Sequence, residues 1–227
     1  MNNVRIPILM LVTILSVSTL YSQSWQYFTK SNSELPADTV KSILIDENGI
    51  KWFGTSSGIA SYDGTDWRTY NTENKLLSNS ISDIIFEDSD FGPEIWVSSD
   101  RGVQVIGVSS IDAVTFATPY QMDNKDILSN TVYTSTIDTG HVKWFGTDKG
   151  VSLFTGSAWA HATANDLLES NEVLSLATGP DGIVYNGTRA GGVARLAFDG
   201  IDVVTAASDI TQPWSPILWN TLHAIYI

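Results

Sequence analysis

The pentapeptide Lys-Trp-Phe-Gly-Thr stands twice in this chain, at residues 51–55 and again at 143–147. A recurring unit constrains the fold more than any bulk property, because its copies fold alike and pack on one another. Aligned on this core, Trp52 in KWFGTSSGI matches Trp96 in IWVSSDRGV, Trp144 in KWFGTDKGV and Tyr185 in VYNGTRAGGV, at steps of 44, 48 and 41 residues. A second landmark precedes each core: LPADTVKSI, LLSNSISDI, ILSNTVYTS and LESNEVLSL. Its polar anchor is Asp38, Asn79, Asn130 or Asn171, and a β-branched residue follows two positions later: Val40, Ile81, Val132 or Val173. A third landmark follows each core: WRTY from Trp67, VTFAT from Val114, WAHA from Trp159 and, weakly, VVTA from Val203. The ends fit the same frame. Residues 24–28, SWQYF, resemble the third landmark alone; residues 217–227 resemble the second, with Asn220 as anchor and Leu222 after it.

Each period holds four short apolar segments between turn signals. In the first they are residues 40–45, 51–55, 59–62 and 67–70, bounded by Asn48-Gly49, Ser57-Gly58 and Asp63-Gly64. Asn-Gly and Asp-Gly accept the positive φ angles of tight hairpins, so the segments read as antiparallel strands. Four strands per forty to fifty residues is the period of a β-propeller blade, a sheet that buries both faces only when stacked on its neighbours. The expectation is an all-β chain with blades at about 35–71, 76–118, 127–163 and 168–206. A further blade starts at 217–227, and one orphan strand stands at each end. The motif Trp52, Phe53, Gly54, Trp96, Trp144, Phe145, Gly146 and Tyr185 supplies rings to fill the space between sheets. Its glycines let the backbone pass a crowded point near the turn. The orphan strands point to an incomplete ring, the N-terminal portion of a longer propeller; the alternative is a four-bladed ring with frayed ends.

Charge and composition narrow the function. The net charge is −13, which opposes binding to nucleic acid or anionic lipid. The absence of cysteine removes disulfides, thiolate metal sites and a cysteine nucleophile. Arg5 followed by an uncharged apolar run to about Leu20 reads as a signal peptide over residues 1–22, cut near Ser22 to leave a propeller domain over 23–227. An uncleaved membrane anchor is the alternative. The working compartment is outside the cytoplasm: secreted, periplasmic or at the cell surface.

A period reading N-x-V-x-x-I, then D-x-x-G-x-x-W-F-G-T-x-x-G-I, then Y-D-G-x-x-W-x-x-Y resembles the two-component regulator propeller repeat. Asn79, Asp46, Gly49, Trp52 to Thr55, Gly58, Tyr62 to Gly64, Trp67 and Tyr70 sit where that pattern wants them. The resemblance runs from about residue 24 to the C-terminus, and is weakest over 88–122 and after 198. It implies a periplasmic sensor propeller, commonly of seven blades, answering to polysaccharide fragments. In such proteins a β-sandwich, a membrane helix and a histidine-kinase or response-regulator output often follow, and related secreted proteins carry the propeller without a kinase. No membrane helix or kinase block follows the repeats here. The implied partners are a polysaccharide fragment or another protein, with a histidine-kinase output domain in a longer parent chain.

Residues with potential chemistry are few. His141, His161 and His223 share no metal-ligand spacing, and no nucleophile elbow, zinc motif or phosphate loop is present. No cofactor or metal is expected. Residues 87–94, EDSDFGPE, crowd acids before a glycine; they read as a turn between the first two strands of blade 2, with a calcium loop as the alternative. A ligand would meet the rim shared by the loops after each second strand and those before each first strand. The candidates there are Asn79, Asn130, Asn171, Asp100, Arg101, Asp148, Lys149 and Arg189. The asparagines have a second reading, as side chains bonding nearby backbone. The expected function is non-catalytic ligand sensing or binding. The alternatives are a protein-binding scaffold and a propeller lyase acting on a polysaccharide or lactone-like ring, with Arg101, Lys149 and Arg189 as its cations.

Overall fold

The computed structural model describes residues 25–209, apart from 125, 166, 199 and 201–203, and gives only the backbone of 204–209. The predicted signal segment, the start of a further blade at 217–227 and His223 lie outside the described residues.

The four expected blades form four four-stranded antiparallel meanders. Blade 1 comprises β1 (Val40–Ile45), β2 (Lys51–Thr55), β3 (Gly58–Tyr62) and β4 (Trp67–Tyr70). Blade 2 comprises β5 (Ile81–Ser89), β6 (Gly92–Ser99), β7 (Gly102–Ser110) and β8 (Ala113–Phe116). Blade 3 comprises β9 (Val132–Ile137), β10 (Lys143–Thr147), β11 (Gly150–Phe154) and β12 (Trp159–Ala162). Blade 4 comprises β13 (Val173–Thr178), β14 (Val184–Thr188), β15 (Val193–Phe198) and β16 (Val204–Asp209). The first strands lie side by side in the order β1, β5, β9, β13, so they line the inside of an arc. The arc is not closed. Ile43 and Ile45 on β1 remain 64% and 63% exposed, where a preceding blade would cover them. A closed four-bladed ring is therefore overturned.

Strand alternation decides which ring meets which neighbour, since successive side chains point to opposite faces. Trp52 enters an apolar layer with Ile81, Ile84, Ile95 and Val97 of blade 2. Trp96 does the same with Val132 and Phe145 of blade 3, and Trp144 with Val173, Leu176 and Val184 of blade 4. These three tryptophans thus point forward along the arc, and Phe145, the residue after Trp144, points back. Phe145 is fully buried against blade 2, whereas Phe53 has no preceding blade and is only half-buried. The expectation that both rings fill inter-blade space is corrected at Phe53. The glycines are also crowded by a different element. A Cβ on Gly54 would meet Ile81 and Ile84 at 2.8 and 3.3 Å, and one on Gly146 would meet Val173 at 2.8 Å. It is the next blade's inner strand that presses on them, not a turn.

Residues 25–28 form no strand, which corrects the expected orphan strand at this end, but Phe28 packs as a ring on such a strand would. Phe28 sits edge-on to Tyr62 and Trp67 at 5.3 and 5.1 Å, while Phe53 stacks on Trp67 at 5.6 Å. Blade 3 repeats the constellation: Tyr120 of the preceding blade lies 5.2 and 5.3 Å from Phe154 and Trp159, with Phe145 at 5.8 Å from Trp159. Phe28 thus does for blade 1 what an outer-edge residue of blade 2 does for blade 3.

One glycine tests the tightness of the hairpin at the start of the third strand. Gly150 has φ +130°, and a Cβ there would come within 2.3 Å of the Ala162 carbonyl oxygen. Gly64 has φ +112° but faces open space. Gly150→Ala is expected to lower stability by about 3 kcal/mol, since strain and backbone overlap combine. Gly64→Ala is expected to cost about 1 kcal/mol, the conformational part alone. Equal urea midpoints for the two variants would refute this account.

A buried carboxylate clasps three blades at their inner strands. Asp83 Oδ1 accepts from the Ser42 hydroxyl at 2.9 Å and the Ile84 amide at 2.9 Å. Its Oδ2 accepts from the Ser135 amide and hydroxyl at 2.7 and 3.1 Å. Burial pushes the Asp83 carboxyl above the ordinary range, against the pull of these donors. A group whose folded pKa is raised contributes stability below its unfolded pKa and loses it as pH rises through the folded value. The wild-type protein should therefore lose stability relative to Asp83→Asn as pH rises from about 4, with the difference levelling off above the folded pKa. Urea midpoints of both proteins across the acidic range give the measurement; a difference that grows in the wild type's favour would show that the four donors outweigh burial.

Candidate functional site

The asparagines of the rim read from the sequence are committed to backbone amides. Asn79 Oδ1 accepts from the Thr72 amide at 2.8 Å, Asn130 Oδ1 from the Met122 amide at 2.7 Å and Asn171 Oδ1 from the Ala164 amide at 2.7 Å. Asp38 holds the Lys30 amide in the same way at 2.7 Å. Each anchor therefore ties down the loop that delivers the chain to the next inner strand, the second of the two readings. The remaining candidates do share this rim. Asp100 accepts from the Ser78 hydroxyl at 2.5 Å. Arg189 pairs with Glu172 at 2.5 Å, and this pairing holds the Glu172 carboxyl below its usual range. Arg101 and Lys149 are exposed, with the Lys149 ammonium 3.6 Å from the Met122 sulfur, and Asp148 keeps one buried carboxylate oxygen without a hydrogen bond. These side chains are spread over three loops.

A cleft opens instead at the opposite rim, between blades 2 and 3. In blades 1 and 3 an aspartate six residues before the tryptophan organises the first hairpin. Asp46 Oδ1 accepts from the Asn48 and Ile50 amides, both at 3.0 Å, and its Oδ2 accepts from the Trp52 indole N–H at 3.0 Å. Asp138 repeats this with the amides of Gly140 and Val142 and the Trp144 indole at 2.9 Å. Blade 2 departs from the pattern. Its β5 has 9 residues and β6 has 8, against 6 and 5 in blades 1 and 3. The hairpin therefore overreaches its neighbours, and the turn expected over 87–94 shrinks to Asp90 and Phe91. Glu87, now inside the strand, takes the aspartate's place and accepts from the Trp96 indole at 3.1 Å. Its other oxygen accepts from the ammonium of Lys143 in blade 3. Both partners are buried, and the Lys143 ammonium lies 5.3 Å above the Trp96 ring.

The overhanging hairpin walls a cleft of about 600 Å³, within the usual range for small-ligand sites. Phe91 at its tip is 96% exposed. Trp96 and Tyr120, stacked at 5.7 Å with planes 4° apart, lie along one side, and Phe154 beyond them. Glu94, one wall residue, has its carboxyl pushed up by burial and then by the Glu87 charge, while Lys143 pulls it down. His141, at φ 61° in the turn before β10, leans toward Glu87 at 4.0 Å. Among the described residues no group of three or more His, Asp or Glu is arranged to hold a metal.

Sequence reasoning missed this cleft. Spacing could not have found it: Asp90 stands six residues before Trp96, as Asp46 and Asp138 stand before their rings, yet the acid that reaches the Trp96 indole is Glu87, nine before it.

No protein-family model matches the chain, and neither does any curated protein. Solved structures do. The extracellular domain of BT3049, assigned to the hybrid two-component systems of B. thetaiotaomicron, is 22% identical with a TM-score of 0.62 over 77% of this chain. PorZ, an essential surface component of the type-IX secretion system of Porphyromonas gingivalis, is 17% identical with a TM-score of 0.62 over 91% of it. Virginiamycin B lyase from Staphylococcus aureus is 13% identical with a TM-score of 0.55 over 78%. The chain spans 24%, 32% and 57% of those structures' lengths, respectively. The likeness establishes the fold, an arc of propeller blades. No helix among the described residues is long and apolar enough to cross a membrane.

Proposed function

We propose that the chain is a non-catalytic, ligand-binding part of an extracytoplasmic β-propeller, of the kind that forms the sensor region of two-component regulators. The observation that carries the reading is the inter-blade cleft of about 600 Å³ under the blade 2 hairpin. A lengthened hairpin that leaves a phenylalanine in water does nothing for the core, and loops on a rigid scaffold are where binding function collects. The likeness to PorZ favours a second reading, a surface scaffold for another protein, on the same exposed hairpin.

Titrating the protein with oligosaccharides while following tryptophan and tyrosine emission tests the proposal, because Trp96 and Tyr120 line the cleft. Saturable quenching that weakens at least tenfold in Phe91→Ala, and survives triple alanine replacement of Arg101, Lys149 and Arg189, is the expected result. Saturation that depends on those three cations and not on Phe91 would move the site to the other rim. Turnover of an acidic polysaccharide, lost in the triple variant, would refute the non-catalytic reading in favour of a lyase.

A further inference from the structure

Building on that reading of the cleft, the geometry points to a ligand that carries a protonated amine, its ammonium group held between Asp90 and Glu94 and its sugar ring or other apolar face laid on Phe91. The first support is the distribution of charge. Lys143 is the one lysine on the cleft, and Glu87 already neutralises it. Among the described residues neither Asp90 nor Glu94 has an ion-pair partner, so the wall left facing the cleft is anionic. Burial, and then the neighbouring Glu87, disfavour the ionised form of Glu94 more than Lys143 and the Ser89 hydroxyl favour it. An ammonium group arriving beside it removes that penalty, whereas a uronate or sulfated sugar would add to it.

The second support is chemical type. A hard metal ion asks for six or more oxygens around one point, and no such grouping is present among the described residues. An ammonium group needs only three acceptors, from any directions its hydrogens can reach. The aromatic surface fits the same ligand, since ring faces attract cations as well as C–H faces. Phe91, exposed at the end of a two-residue turn, is the ring with faces left over, whereas Tyr120 already lies against Trp96, Phe154 and Trp159. Trp96 is already covered by Tyr120 and Lys143.

Calorimetric titration with four probes decides the matter: fully deacetylated chitotriose, its N-acetylated counterpart, trigalacturonate and spermidine. The expected result is binding of the deacetylated trisaccharide at least tenfold tighter than the acetylated one, with the preference abolished in Asp90→Asn/Glu94→Gln. These residues lie in an exposed turn and on a half-exposed strand position, so the variant should fold. Phe91→Ala should weaken the amino sugar at least tenfold. Binding of the acetylated or anionic trisaccharide as tightly, and dependent on Phe91, would overturn the amine assignment and leave the cleft standing as a binding site. Spermidine binding as tightly as the amino sugar, with no effect of Phe91→Ala on either, would overturn the seat on the ring. Silence from all four probes, with no quenching by any oligosaccharide, would overturn both this assignment and the reading it rests on.

Discussion

Replacing Lys143 by alanine is expected to destabilise the protein by about 3–5 kcal/mol. The ammonium group is buried, and it meets an equally buried Glu87 carboxylate. Removing the lysine leaves a charge in a low-dielectric site with the Trp96 indole bonded to it and the exposed His141 at 4.0 Å. The loss is mostly the cost of that orphaned carboxylate, not the worth of the pair. It follows that Lys143→Met combined with Glu87→Gln should recover most of the lost stability, because the glutamine carbonyl can still accept from the indole and no charge remains. Chemical-denaturation midpoints of the single and double variants make the comparison. A double variant as unstable as Lys143→Ala would mean that packing of the lysine stem, not charge, sets the effect. Lys51, the counterpart in blade 1, is half-exposed on the arc's open face, so Lys51→Ala should change the midpoint little.

Trp144→Ala should cost a similar amount, about 3–5 kcal/mol, through the cavity it leaves between blades 3 and 4. Its ring is fully buried among Val173, Leu176, Val184 and Leu196. Trp144→Phe keeps most of that contact but abandons one Asp138 oxygen, which predicts a loss nearer 1–2 kcal/mol. Phe53→Ala provides the contrast. The same residue type in the same pentapeptide faces no blade, so its loss should fall below that of Phe145→Ala by a factor of two or more. Equal effects at positions 53 and 145 would show that the arc's open face is covered in solution.

Much of the architecture could be read before any coordinates. The strand limits of blade 1 follow from Asn48-Gly49, Ser57-Gly58 and Asp63-Gly64, because turn chemistry is local. The SWQYF remnant was recognisable by its rings, and Phe28 indeed takes the place on blade 1 that Tyr120 takes on blade 3. The asparagine anchors were visible as a pattern but not in their use. A side-chain oxygen that bonds an amide seven or eight residues back looks the same in sequence as one waiting for a ligand. The cleft was hidden for a different reason. Residues 87–94 carry the turn formers Asp, Ser and Gly, which suggested a loop; pairing Glu87 with Glu94 and Asp88 with Pro93 extended the ladder through them. Strand pairing is a non-local choice, and here it overrode local preference.

The repeat itself determined the blade, its four strands and the tryptophan that each blade pushes toward the next, because period-2 alternation and tight turns are written residue by residue. What only the tertiary structure decided is where the arc stops covering itself and which rim gains a cavity. Lys51 and Lys143 occupy the same letter of the same pentapeptide, yet one lies half in water and the other is sealed beneath Glu87. The difference is not in the segment but in the sheet placed against it, and burial, charge pairing and cleft formation are all properties of that second surface.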